Sequence, residues 1–197
     1  MGGEPLLHDN IVEIIQTTRN NFDKASIRLV TNGILLPNMG ADFWNACNNN
    51  NVVIAISPYP INLNVKEIYK LAVQYAVAID AGNTFTKKFM KNVFDTTGSQ
   101  NKNESYKKCC QIFCHQLYKG KFYVCQTPAL IKYFNKYFSC DFQVSPDDCI
   151  DIYKICDAKN LLKYLKKPIP FCRYCNIDAT DHNVTWGLSK KEISEWM

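Results

Sequence analysis

Apolar residues along the first hundred positions alternate between two spacings. Ile11, Ile14 and Ile15 share one helical face, and Asn10 with Glu13 has the spacing of a capping box, so a helix is expected from residue 11. Residues 26–31 (SIRLVT) read as a strand that stops at the turn pair Asn32–Gly33. There follow a short helix over 41–48, a strand over 51–57 (NVVIAIS) ended by Pro58 and Pro60, a helix over 65–74 and a short strand near 76–79. Strands alternating with helices imply parallel β/α units, each covering one face of a sheet or an arc of a barrel. This half is therefore expected to be α/β.

Residues 96–105 (TTGSQNKNES) turn polar, which predicts a linker or surface loop and a boundary near residue 100. The expected domains are 1–100 and 101–197. The second opens differently: cysteines crowd together, Gly120 sits in a hairpin-like stretch (QLYKGKFYVC), and short helices are expected over 128–138 and 158–165. Tyr133, Phe134, Tyr137 and Phe138 recur at helical spacing and are read as core. Asp147, Asp148 and Asp151 cluster as at a helix N-terminus. No internal repeat or low-complexity tract interrupts the chain.

Composition narrows the class. With 47% hydrophobic residues among 197, the chain can bury a real core and is not disordered. The net charge of +5 comes from scattered lysine pairs such as Lys107–Lys108 and Lys166–Lys167. Such pairs read as solvated faces, not as a nucleic-acid groove. No export signal and no membrane-spanning apolar run is present, so a soluble cytoplasmic protein without nucleic-acid or membrane partners is expected.

Ten cysteines stand apart from this picture. Without an export signal they read as buried thiols or metal ligands, not as disulfides. Cys172 and Cys175 form a CxxC that can grip one metal centre from a single turn. Upstream, Cys109, Cys110, Cys114 and Cys125 bracket the expected hairpin, and thiolate sets of this kind select zinc or iron–sulfur centres. Cys47, Cys140, Cys149 and Cys156 match no motif. Of the histidines, His8 is expected to cap or pack the first helix, His115 to be an ordinary hairpin residue, and His182 to lie in a polar tail.

The chain opens GGEPLLH. Gly2 and Gly3 let the backbone approach a ligand, Glu4 adds an acceptor and Pro5 stiffens the exit. After a parallel strand, such a turn lies at the carboxyl end of the sheet, where α/β folds place ligands. These residues resemble the GGEP motif of the radical S-adenosylmethionine (radical SAM) enzymes. The match continues in order, with Leu29–Gly33 (LVTNG) resembling that family's third strand and Ile54–Ser57 its fourth.

The resemblance implies a partial (β/α) radical SAM barrel lacking its first strand, with Gly2, Gly3, Glu4, Asn32 and Ser57 on the S-adenosylmethionine side. The spacing from Cys109 or Cys110 to Gly120, then Gly-x-x-x-x-Cys to Cys125, then CxxC, resembles the auxiliary-cluster domains called SPASM and twitch. A small cysteine-rich α+β domain with one 4Fe-4S cluster is implied. Cys125, Cys172 and Cys175 would be ligands, with the fourth among Cys109, Cys110 and Cys114, of which Cys109 and Cys114 rank ahead. The family's CxxxCxxC loop belongs upstream of GGEP, so an N-terminally truncated chain, inactive alone, is expected.

In such enzymes S-adenosylmethionine is cleaved to a 5′-deoxyadenosyl radical that abstracts a substrate hydrogen. A peptide or sugar-like substrate and an electron donor such as flavodoxin or ferredoxin are the implied partners. The alternative of another class is a non-enzymatic interaction protein whose cysteines hold structural zinc. A third reading is a remnant with neither metal.

Overall fold

A computed structural model describes residues 3–57, 59–82, 88–154 and 157–197. The chain forms two compact units, residues 2–87 and 88–197. Both mix helix with sheet.

In the first unit, strands β1 (Ile27–Thr31), β2 (Val52–Ile56) and β3 (Ala78–Asp80) alternate with helices α1 (Ile11–Asn21), α2 (Ala41–Asn49) and α3 (Val65–Gln74). All strand neighbours are parallel, in the order β1–β2–β3, with Thr31 opposite Ile56 and Ala55 opposite Asp80. The central strand β2 is apolar throughout and buries Val52, Ile54, Ala55 and Ile56, as expected for a parallel strand covered on both faces. Phe43 and Trp44 of α2 pack in the same core as Ile54 and Ile68, all at most 1% exposed. The sheet is small and open, not a barrel. Three strands cannot curl far enough for their edges to meet.

The expected capping box at Asn10 does not form. Asn10 sits at φ −100°, ψ 30°, outside the extended region that aims a cap side chain at the helix, and its side chain makes no capping bond. His8 takes part instead, its Nδ1 accepting the Asn10 N–H at 3.1 Å. Asn64 does cap α3, accepting from Glu67 N at 3.3 Å.

In the second unit, β4 (Lys88–Lys91) pairs antiparallel with β8 (Asp181–Thr185). Strands β5 (Gln116–Tyr118), β6 (Lys121–Tyr123) and β7 (Cys149–Asp151) form an antiparallel meander. Helices α4 (Lys102–Lys108), α5 (Gln126–Phe138) and α6 (Ala158–Leu165) complete the unit. Lys119 and Gly120 turn the β5–β6 hairpin with φ of 49° and 71°, the paired left-handed geometry that suits a two-residue hairpin loop.

The core of this unit is aromatic. Phe142 packs against Phe94, Phe134 and Tyr174 at centroid distances of 5.6, 5.9 and 5.2 Å, the separations at which ring edges meet faces favourably. The aromatic run of α5 divides: Phe134 joins this core, whereas Tyr133 and Tyr137 are 55% and 61% exposed. The acidic cluster near 147 begins no α-helix. Pro146–Asp148 is a short 3-10 turn closed by a Ser145–Asp148 capping box.

Residues 95–100, expected to be a linker or surface loop, fold as part of the second unit. Asp95 accepts from Thr97 N and Oγ1, Ser99 N and Oγ, and Gln100 Nε2 at 2.6–3.1 Å. Asp95 N donates to Tyr174 O at 2.8 Å and Gln100 N to Arg173 O at 3.1 Å, so the turn clasps the CxxC segment.

Candidate metal centre

Four cysteines line one cavity in the second unit: Cys109, Cys125, Cys172 and Cys175. Each is placed by the end of an element. Cys109 ends α4 and starts the 3-10 turn Cys110–Phe113, its sulfur accepting from Gln111 N at 3.3 Å. Cys125 follows β6 and is the N-cap of α5, in extended conformation. Cys172 lies in the 3-10 turn Pro170–Tyr174, and Cys175 closes it by donating its N–H to Cys172 O at 3.2 Å. A proline at the start of that turn loses no hydrogen bond there, which favours the tight turn that brings the two CxxC thiols together.

The surrounding packing fixes these ends. Phe94 bridges to Cys175, Asn176 N donates to Val93 O at 3.0 Å, and Ser105 Oγ of α4 donates to Cys175 O at 2.8 Å. Phe94, Ile112, Val124, Ile169 and Ile177 contribute apolar wall, and no Asp, Glu, His, Lys or Arg lines the cavity. Burial in this apolar setting pushes the Cys125 thiol up to about 12 and raises Cys175, Cys172 and Cys109 as well. In each case desolvation is the main cause, and charge on the neighbouring thiols adds to it. Without a cation these sulfurs stay neutral. A metal centre supplies the positive charge that turns them into thiolates.

The donor set is thus all sulfur, the ligation that selects zinc or iron–sulfur centres. Among the described residues no three His, Cys, Asp or Glu side chains stand close enough together to hold a single ion. The cavity itself measures about 30 Å³, the space of a water molecule or two.

Of the three sequence candidates for the fourth ligand, Cys109 lines the cavity and Cys110 and Cys114 do not. Cys110 is exposed with its sulfur 3.3 Å from Met90 Sδ, and Cys114 is exposed at the end of its 3-10 turn. Cys47 is fully buried in α2, and Cys140 and Cys149 lie off the cavity. Cys156 lies outside the described residues. His115 is an ordinary hairpin residue, its Nδ1 2.8 Å from Val124 O.

The GGEP segment belongs to the first unit, and Gly2 lies outside the described residues. Gly3 takes φ +81°, open to glycine and strained for other residues. Glu4 reaches the carboxyl end of β1. Its Oε1 accepts from Thr31 Oγ1 at 2.6 Å and Leu6 N at 3.2 Å, and its Oε2 from Asn32 N at 2.9 Å. Ser57 N donates to Thr31 O at 2.8 Å, which sets Ser57 beside the same strand end. Gly3, Glu4, Asn32 and Ser57 therefore gather at the carboxyl end of the sheet. Both Glu4 oxygens are already engaged by donors of this chain.

Sequence reasoning left out the residues that position the cysteines: Asp95, Ser105 and Asp148. Only Asp95 carried a signal, since Asp-Thr-Thr-Gly-Ser is a turn sequence in which a carboxylate caps the following N–H groups. The sequence matches no protein-family model and no curated protein.

Proposed function

We propose that this chain is a radical SAM-type protein whose residues 88–197 hold an auxiliary 4Fe-4S cluster on Cys109, Cys125, Cys172 and Cys175. One observation carries the reading: four thiols far apart in sequence line one apolar-walled cavity that contains no other ionisable side chain. Thiolate ligands spread around a cluster stand farther apart than those of one tetrahedral ion. The absence of a single-ion site among the described residues accords with that spacing.

Such a cluster supplies one-electron chemistry when bound. The residues of this chain hold it in place, exclude water through Phe94, Val124 and Ile169, and give up the thiol protons. Accommodation requires the cavity to widen. The wall that gives is the 3-10 turn Cys110–Phe113, which has no buried residue. The carboxyl end of the first sheet, with Gly3, Glu4, Asn32 and Ser57, is read as the S-adenosylmethionine side, as an arc of the family's barrel. The substrate class remains that of the resemblance, a peptide or a sugar-like molecule.

Anaerobic reconstitution with iron and sulfide tests the reading. Wild type and Cys114→Ser are expected to take up about four irons per chain with visible charge-transfer colour. Cys125→Ser and the double variant Cys172→Ser/Cys175→Ser are expected to lose both. Stoichiometric zinc without colour or sulfide assigns the site to structural zinc and removes the cluster from the proposal.

A further inference from the structure

Asp148 is the one acidic or basic side chain fully buried among the described residues, at 0% exposure. It ends the 3-10 turn Pro146–Asp148, directly before β7. Its Oδ2 accepts from Ser145 N at 2.7 Å and Ser145 Oγ at 3.0 Å. Its Oδ1 accepts from Phe171 N at 2.6 Å. Phe171 is itself 1% exposed and directly precedes Cys172. The carboxylate therefore ties a turn 23 residues upstream to the backbone of the CxxC turn.

Ser145 and Phe171 satisfy its hydrogen bonds but not its charge. No ion pair to Asp148 occurs among the described residues. A full negative charge without a countercharge, away from water, projects a field that solvent does not screen. Cys172 feels it: its thiol is raised mainly by burial, and the Asp148 charge adds to the shift. The side chain of Tyr164, also raised mainly by burial, is influenced by both Asp148 and Cys125. The charge acts on the cavity from behind its wall, because Asp148 is absent from the lining.

We propose that Asp148 is a positioning residue that holds down the reduction potential of the centre bound by Cys109, Cys125, Cys172 and Cys175. The inference rests on the iron–sulfur reading above. Reduction adds one electron to the centre, and a fixed negative charge beside it disfavours that addition, so the oxidised form is favoured. The bond to Phe171 N keeps the charge at constant distance from the CxxC turn. It also occupies a backbone N–H that would otherwise be free to donate toward a cluster sulfur. Both effects push the potential the same way.

The test is a mediated redox titration of the reconstituted full chain, followed by visible absorbance and electron paramagnetic resonance. Asp148→Asn removes the charge and is expected to raise the reduced-to-oxidised ratio roughly tenfold at the wild-type midpoint, about 59 mV for a one-electron couple. Ser145→Ala keeps the carboxylate, removes one donor that disperses its charge, and is expected to shift the midpoint the opposite way. A cluster-loaded Asp148→Asn with an unmoved or lowered midpoint overturns the role of Asp148 and leaves the cluster reading standing. A wild type that takes up no cluster overturns both. Should Asp148→Asn fail to fold, Ser145→Ala decides: a lowered midpoint supports the proposal, and an unmoved one overturns it.

Discussion

The hydroxyl of Ser105 donates to the carbonyl of Cys175 at 2.8 Å, joining α4 to the end of the CxxC turn across 70 residues of sequence. Ser105 is buried at 7% exposure and Cys109 ends the same helix. The bond thus holds two of the four cavity cysteines in mutual register.

Ser105→Ala leaves the Cys175 carbonyl without this donor. A loss of about 1–2 kcal/mol of stability is expected, read from urea denaturation of the metal-free chain. Iron uptake should fall with it, because Cys109 and Cys175 then lose their shared anchor. An unchanged denaturation midpoint would show that water replaces the hydroxyl without cost.

Gly98 takes φ +65°, and a Cβ there would lie 2.8 Å from Tyr174 Cε1 and 3.2 Å from Arg173 Nε. Gly98→Ala is expected to cost about 1–3 kcal/mol through backbone strain, with the contact adding to it. A lowered melting temperature for the unit containing the cysteines checks this. Ser99→Ala, on an exposed neighbour, should cost less.

Glu4→Gln replaces one of two accepting oxygens with an amide nitrogen that can only donate. Either Thr31 Oγ1 and Leu6 N or Asn32 N then loses its acceptor, at an expected cost of about 1–3 kcal/mol. Amide exchange of Asn32 should accelerate in the variant relative to the central strand β2. Equal protection in both proteins would mean that Glu4 does not hold the strand end.

The carboxyl of Asp95 is held well below its ordinary range by hydrogen bonds from Thr97, Gln100 and Ser99. A depressed carboxylate contributes stability that is present above its unfolded pKa, about 3.9, and is lost as the pH falls through the folded value. Stability is therefore expected to decline below about pH 4, and Asp95→Asn should flatten that decline. Thermal melts of both proteins from pH 6 to pH 2.5 provide the comparison.

Thiol reactivity should separate the cysteines by burial. Cys110 and Cys114 are exposed, whereas Cys47 is fully buried and its thiol is pushed up to about 12 by desolvation. Brief alkylation of the native chain, mapped by mass spectrometry, should label Cys110 and Cys114 first and Cys47 last. Iron–sulfur loading should then protect Cys109, Cys125, Cys172 and Cys175 while leaving Cys110 and Cys114 open.

Periodicity along the chain was enough to read the β/α alternation of the first unit, the Gly120 hairpin and the helices α3, α5 and α6. Those features follow from local physics: apolar spacing, turn pairs, and prolines that end strands. The same reasoning placed a capping box at Asn10 where the backbone angles aim the side chain elsewhere, since an N-cap needs a conformation that spacing does not report. It read residues 95–100 as a linker because five polar side chains look alike whether they face water or one carboxylate. It also assigned all four aromatics of α5 to the core, although only a contact map distinguishes Phe134 from Tyr133.

The sequence by itself determined that this protein carries more thiols than a cytosolic-type composition explains, with a CxxC and a GGEP turn in a chain of alternating strands and helices. Only the tertiary structure decided which thiols meet. Cys109, Cys110 and Cys114 are equivalent in composition and nearly so in spacing, but the end of α4 turns Cys109 toward Cys125 and the CxxC segment and leaves the other two in solvent. The choice depends on where Ser105, Phe94 and Asp148 anchor segments that are up to 80 residues apart. Contacts of that range leave no periodic trace in a sequence, because each is fixed by packing between elements and not by the order of residues within one.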